Sequence, residues 1–236
     1  VNRTLYPYDY SLLAEQGKKF MRLNFTWNGF FNYGDKKKGG LEARFYAGKF
    51  FYLGHPGNTQ KYASSRYYLN LTGANGYEDY TYSGYFAGRS EFEGMNSRQI
   101  MKRDGFFKIR TDLLSKKIGK TDDWLCALNL SSSIPNSINP LSVLPFKIPV
   151  RAFLDIGTFS EAWDNQATTG KILYDAGLEL TLAGNLIHIY APLLMSKVFR
   201  DYVNSTIPEK KFINTLSFSI NLEGITIRNL MAKAIQ

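Results

Sequence analysis

The stretch "MRLNFTW", residues 21–27, sets Met21, Leu23, Phe25 and Trp27 against Arg22, Asn24 and Thr26. In an extended strand successive side chains point to opposite faces, so this segment is oily on one side and wet on the other. The fold turns on which side looks inward. An oily face turned in makes a soluble β protein. An oily face turned out, around a charged lumen, makes a membrane barrel.

The same alternation recurs along the chain. Leu41, Ala43, Phe45 and Ala47 oppose Glu42, Arg44 and Tyr46. Tyr67, Leu69 and Leu71 oppose Arg66, Tyr68 and Asn70. Phe107, Ile109 and Leu113 oppose Lys108, Arg110 and Asp112. Trp124, Cys126, Leu128 and Leu130 share a side. Val150, Ala152, Leu154 and Ile156 oppose Arg151, Phe153 and Asp155. Ile172, Tyr174, Ala176, Leu178 and Leu180 oppose Asp175, Gly177, Glu179 and Thr181. Leu216, Phe218, Ile220 and Leu222 oppose Ser217, Ser219 and Asn221.

With weaker strands near 80–88 and 187–194, the pattern predicts about ten strands and no long helix. Strands joined by turns such as "GHPGN", "GANG" and "AGN" (183–185) pair antiparallel through hairpins. The connection at 133–149 is Pro-rich, and no linker divides the chain, so a single all-β domain over residues 1–236 is expected.

Composition narrows the class. Aromatic residues make up 15%, in the direction β propensity favours. Mean hydropathy is −0.26, and no apolar run approaches the ~20 residues of a spanning helix. Barrel strands leave a much weaker signal than that. Several amphipathic runs reach the ~9–11 residues that a tilted spanning strand needs. Aromatics such as Phe20, Phe30, Phe31, Tyr33, Phe50, Phe51 and Tyr52 gather at strand ends, where interfacial girdles belong.

The net charge is +9, from 29 basic and 20 acidic residues. Basic clusters at 35–40, 115–120 and 208–211 fall in turns and loops. They read as solvated edge-protecting lysines, with anionic lipid headgroups as the functional alternative. No basic groove interleaved with aromatics points to nucleic acid. The single cysteine, Cys126, excludes an internal disulfide. The first residues lack the basic and apolar regions of a signal peptide. The sequons at Asn24, Asn70 and Asn129 fall inside expected strands.

Catalytic signatures do not surface. H-E-x-x-H, G-x-S-x-G and the phosphate-binding G-x-x-x-x-G-K-[ST] are missing. The two histidines, His55 in a turn and His188 in a strand, make no metal set. Asp155 and Asp175, near Arg151 on adjacent polar faces, read as a salt-bridge network rather than an acid/base pair. No enzyme and no cofactor are expected.

At "VRAFLDIGTFSEAW" (150–163) and "LYDAGLELTLAGNLIHIYAPLL" (173–194), followed by "LSFSINL", the chain resembles a known family. It is similar to the C-terminal end of the bacterial surface-antigen barrel, the outer-membrane family of assembly and secretion factors. "ALNLSSSIP" (127–135) fits that family's strand running into a Pro-containing turn, and the likeness covers roughly residues 85–224. The segment 85–112 resembles more closely the barrel tail of large Bacteroidota proteins with a gluzincin-type metallopeptidase upstream.

The resemblance implies a transmembrane antiparallel barrel, or the C-terminal portion of one, in the outer membrane of a Gram-negative bacterium. Its role would be anchoring a larger protein or providing a conduit, with outer-membrane lipid and other envelope proteins as partners. It also implies a long loop folded into the barrel and pinned by an arginine. Arg89 and Arg110 are the candidates, although neither is followed by Gly-aromatic. The lumenal charges would be Arg22, Glu42, Arg44, Lys108, Asp112, Arg151, Asp155, Asp175 and Glu179. The lipid-facing set would be Met21, Leu23, Phe25, Trp27, Trp124, Leu128, Leu154, Leu178 and Phe218. The rival reading is a soluble β-sandwich or lipocalin-like domain that binds a lipid or polysaccharide.

Overall fold

The computed structural model describes residues 6–33, 39–54, 67–79, 81–91, 94–110, 118–135, 139, 149–183, 185–206 and 211–222, without the side chains of Tyr77, Thr206 and Lys211. His55, Asp112, Gly184, the lysines at 36–38, 116–117 and 210, and the tail beyond 222 lie outside that set.

Period-2 alternation produces long strands. They are β1 (Tyr8–Gln16), β2 (Phe20–Asn32), β3 (Gly40–Tyr52), β6 (Trp124–Ser133), β7 (Val150–Phe159), β8 (Leu173–Leu182) and β9 (Ile187–Met195). The short β10 (Ser217–Ile220) follows two helices, α1 (Lys197–Thr206) and α2 (Lys211–Thr215). These strands form one antiparallel eight-stranded sheet in the order β1-β2-β3-β6-β7-β8-β9-β10. Two-residue strands β4 (Leu69–Asn70) and β5 (Lys120–Thr121) pair separately. Among the described residues β1 and β10 are not paired to each other, so the sheet has two edges.

The chain between β3 and β6 leaves the sheet and returns across its inner face. Residues 104–108 of this excursion touch six strands. Arg22 of β2 and Arg44 of β3 donate to Asp104, and Asn129 of β6 donates to the Gly105 carbonyl. Lys108 donates to Asp155 of β7 and Asp175 of β8, while Ser217 of β10 donates to the Lys108 carbonyl. Five residues span at most ~17 Å of extended chain, so strands at both ends of the sheet order must curl around them.

That curl settles the faces. In β2 the polar side chains Arg22 and Asn24 are buried, while Met21, Leu23, Phe25 and Trp27 on the other face are partly exposed. β3 buries Arg44 and Tyr46 and exposes Phe45 and Phe51. β6 buries Asn129 and leaves Trp124, Cys126, Leu128 and Leu130 partly exposed. β7 buries Asp155 and leaves Leu154 and Ile156 partly exposed, and β8 buries Asp175 and Glu179 and leaves Leu178 partly exposed. The polar face looks inward on every long strand between β2 and β8. The outer face carries aromatic contacts across strands, with Phe25 and Phe45 6.3 Å apart and Trp27 and Phe31 6.4 Å apart.

At one end of the strands the interior is oily. Phe20, Phe50, Leu125, Phe159 and Leu173 of the sheet close around Leu69, Leu71, Phe107 and Ile109 of the excursion and Phe199, Tyr202 and Val203 of α1. Each such ring or branched chain contributes roughly 1.5–3 kcal/mol on burial. Gly157 belongs to this layer. A Cβ there would come within 2.6 Å of Leu71 and 2.9 Å of Phe107, which accounts for glycine in the Asp155–Ile156–Gly157 sequence.

Three expectations change. The strand expected over 107–113 is not formed at 107–110, which cross the interior instead of joining the sheet, and 111–113 lie outside the described residues. The expected strand at 66–72 shrinks to β4, and 81–88 holds turns. The lipid-facing expectation for Phe218 fails, since this side chain is 9% exposed and its carbonyl accepts the Ile100 N–H at 2.8 Å. β1 and α1 are additional elements that the alternation did not indicate.

Candidate functional site

Above the oily layer the interior is a polar lock. Its centre is Asp104, which holds φ at 47°, with Phe106 at 51° two residues on. Aspartate tolerates this left-handed region, whereas a bulky aromatic there is strained. The conformation turns the Asp104 carboxylate onto the β2–β3 wall. Arg22 Nη2 donates to Oδ1 at 2.9 Å, and the Tyr46 hydroxyl donates to it at 3.2 Å. Tyr46 also donates to Asn24 Oδ1 at 2.8 Å. Gly105 follows because a Cβ there would meet the Leu71 carbonyl oxygen at 2.5 Å.

Three residues on, Lys108 reaches the opposite wall. Its Nζ lies 2.9 Å from Asp155 Oδ1 and 4.0 Å from the centroid of the Phe106 ring. The backbone N–H groups of Lys108 and Ile109 both donate to Asp175 Oδ2, at 3.0 and 3.1 Å. Asp155 and Asp175 face each other across β7 and β8, and both are 0% exposed. Asn129 Nδ2 ties Asp155 to the Gly105 carbonyl. An ion pair so buried contributes mainly by forbidding alternatives, since either charge left alone would cost several kcal/mol.

Beyond the lock the interior opens into a cavity of about 1280 Å³. Its wall carries five basic side chains (Arg44, Lys102, Arg103, Lys108, Arg151) and three acidic ones (Asp9, Glu42, Glu179). Glu179 accepts from Ser131 at 2.8 Å and sits 2.7 Å from His188 Nδ1. Arg151 donates to Ser131 Oγ at 2.8 Å, reaches Glu42 at 3.1 Å and lies 4.0 Å from Glu179.

The expected lumenal set thus divides in two. Arg22, Arg44, Lys108, Asp155 and Asp175 meet in the lock, and Glu42, Arg151 and Glu179 meet in the cavity wall. Asp112 lies outside the described residues. The expected loop-pinning arginines both make contacts within the excursion. Arg89 donates to the carbonyl and carboxylate of Asp79 at 2.7 and 3.2 Å and also to the Gly84 carbonyl, and Arg110 donates to the Ser97 carbonyl. Burial alone would push the Asp79 carboxyl up, but donors from Ser83, Gly84 and Arg89 outweigh it and hold the group below the usual range. Asp104 and Asn129, which do fasten the excursion, were missed. The Asp-Gly pair in "KRDGFFK" signals a turn, and nothing local says which wall its carboxylate meets.

No candidate metal-binding group of three or more His, Cys, Asp or Glu side chains occurs among the described residues. No helix of the described residues is long and apolar enough to cross a membrane, which has no bearing on crossing by strands. Compared with protein-family models, with curated proteins and with solved structures, the chain matches none.

Proposed function

We propose that this chain is a non-catalytic outer-membrane β-barrel wall of the surface-antigen type, anchoring a larger envelope protein with its interior plugged. The observation that carries the reading is the inverted burial. Arg22, Arg44, Asn129, Asp155, Asp175 and Glu179 are buried while Leu23, Trp27, Trp124, Leu128, Leu154 and Leu178 face out. A water-facing protein gains nothing from that order. A lipid-facing one gains the transfer of every outward apolar side chain into hydrocarbon. Strands of 9–13 residues are long enough for a tilted crossing.

The filled interior favours anchoring over a permanently open conduit, because the lock and the oily layer block the path from the cavity. A lipocalin-like binder needs the opposite arrangement, with apolar side chains lining the cavity.

The test is tryptophan quenching by brominated lipids in reconstituted bilayers. Trp27 and Trp124 sit on the outer faces of β2 and β6, and Trp163 follows β7 and is 51% exposed. With single Trp→Phe variants assigning the signals, strong quenching of Trp27 and Trp124 is expected. A chain that folds in plain buffer with both tryptophans unquenched removes the membrane reading.

A further inference from the structure

Among the described residues Arg44 is a buried cation with no directly paired carboxylate, the charges of Asp104 and Asp155 acting on it only through space. It is 6% exposed, and no carboxylate oxygen of a described residue comes within 4.0 Å of it. Its two hydrogen bonds to described residues both leave from Nη1, to the Asp104 carbonyl at 2.8 Å and to Asn129 Oδ1 at 2.9 Å. Both acceptors are neutral. Tyr46 and Phe106 place their rings 5.4 and 6.0 Å from its carbon centre, which holds the guanidinium in place without neutralising it.

The remaining donors are Nε–H and the two hydrogens on Nη2. Neither nitrogen is among the sealed polar atoms without a partner, and Arg44 lines the cavity. The edge formed by Nε and Nη2 is the two-pronged edge that matches a carboxylate or a phosphate. The contrast with the neighbouring cations is direct. Lys108 is matched by Asp155 and Arg151 by Glu42, each at hydrogen-bonding distance, while Arg44 keeps its charge and its fork.

We infer that the cavity is a binding cup for the oxyanion group, phosphate or carboxylate, of a small polar ligand, with Arg44 as its anchoring cation. Arg103, whose Nη1 donates to the Ser83 hydroxyl at 3.3 Å, and Lys102 stand in the same wall and add to the positive field there. A preorganised cation of this kind, shielded from bulk water, binds an anion more strongly than the same group on an open surface. The inference does not depend on what the outer face of the sheet touches, and its failure leaves the membrane reading where it was.

The experiment is arginine footprinting with phenylglyoxal on the unmodified folded chain at low ionic strength, read by peptide mass spectrometry. Three probes are added separately: inorganic phosphate, glycerol 3-phosphate and galacturonate. Arg44 is expected to react in their absence. It should be slowed about tenfold at a probe concentration ~10 times its Kd, since only the unliganded fraction reacts. Arg200, exposed on α1 and outside the cavity lining, serves as the internal reference and should not respond. Protection by the two phosphates alone assigns a phosphate ligand, and protection by galacturonate assigns a carboxylate. Arg44 that never reacts, or that reacts at one rate with every probe present, overturns the inference. So does protection confined to Arg103.

Discussion

Lys108 concentrates the energetics of the inner face in one side chain. It joins a carboxylate on β7 and, through its backbone, one on β8, with Phe106, Phe153 and Tyr190 around its ammonium. Lys108→Met keeps the length and removes the charge, leaving Asp155 buried without its cation. The expected loss is about 3–5 kcal/mol in urea unfolding monitored in detergent. Adding Asp155→Asn should recover a large part of it, because the second change removes the stranded charge. Equal and additive losses would mean that the two residues do not act as a pair. Asp79 supplies a pH effect of opposite cause. Its folded-state carboxyl lies below the ordinary range, so its stabilising contribution is present above about pH 4 and is lost as pH falls through the depressed value. Limited proteolysis of the 79–91 turns should therefore accelerate toward acid pH, and Asp79→Asn should make cleavage equally fast at neutral pH. Cleavage of the unmodified chain that ignores pH would contradict this.

At the scale of elements, α1 fastens the excursion at the oily end. Phe199 and Tyr202 are 0% and 1% exposed, and the Phe199 and Phe107 rings lie 5.9 Å apart in an edge contact. Phe199→Ala is expected to cost about 3–5 kcal/mol and to loosen residues 107–109, read as faster amide exchange there while β2 and β3 keep their protection. A uniform loss of protection across the sheet would instead make α1 part of one cooperative unit. This helix was hidden in the sequence for a physical reason. Val198, Phe199, Tyr202 and Val203 follow helical spacing, but the valines, Asn204, Ser205 and Thr206 are weak helix formers. The long strands were legible because their two faces meet different media. β1 was not, because Leu12 and Leu13 are adjacent and nearly all of it is exposed on both sides. The alternation at 107–110 is real and has the period of a strand. Phe107 and Ile109 enter the oily layer while Lys108 reaches the polar wall, so an extended segment crossing the interior gives the same period as a strand lining it. Among the site residues, Arg22, Arg44, Asp155, Asp175 and Glu179 could be found from periodicity. Asp104 could not, since its role is fixed by a left-handed turn and by strands far away in sequence.

For the whole molecule the decisive comparison is between the wall and what it encloses. A closed barrel of eight strands has room for its own side chains or one small ligand. This eight-stranded sheet holds a chain segment, a helix face and a cavity of about 1280 Å³. The strands are therefore spread around a wider interior, which is consistent with β1 and β10 standing as edges. Unpaired edges are costly in hydrocarbon, so the membrane reading requires further strand pairing at those edges. The enclosed segment also decides transport. With Asp104 tied to β2 and β3, and Lys108 to β7 and β8, a permeating ion would meet filled space between the cavity and the oily end. The unmodified chain in a planar bilayer should show no steady conductance. Lys108→Met, which cuts one fastening, should add brief openings, and replacing residues 67–110 with a short Gly/Ser linker should give a persistent pore. A steady conductance from the unmodified chain would sink the plugged-anchor reading. A silent bilayer with the segment removed would show instead that the sheet alone does not form a pore, and that the excursion is part of the wall's own support.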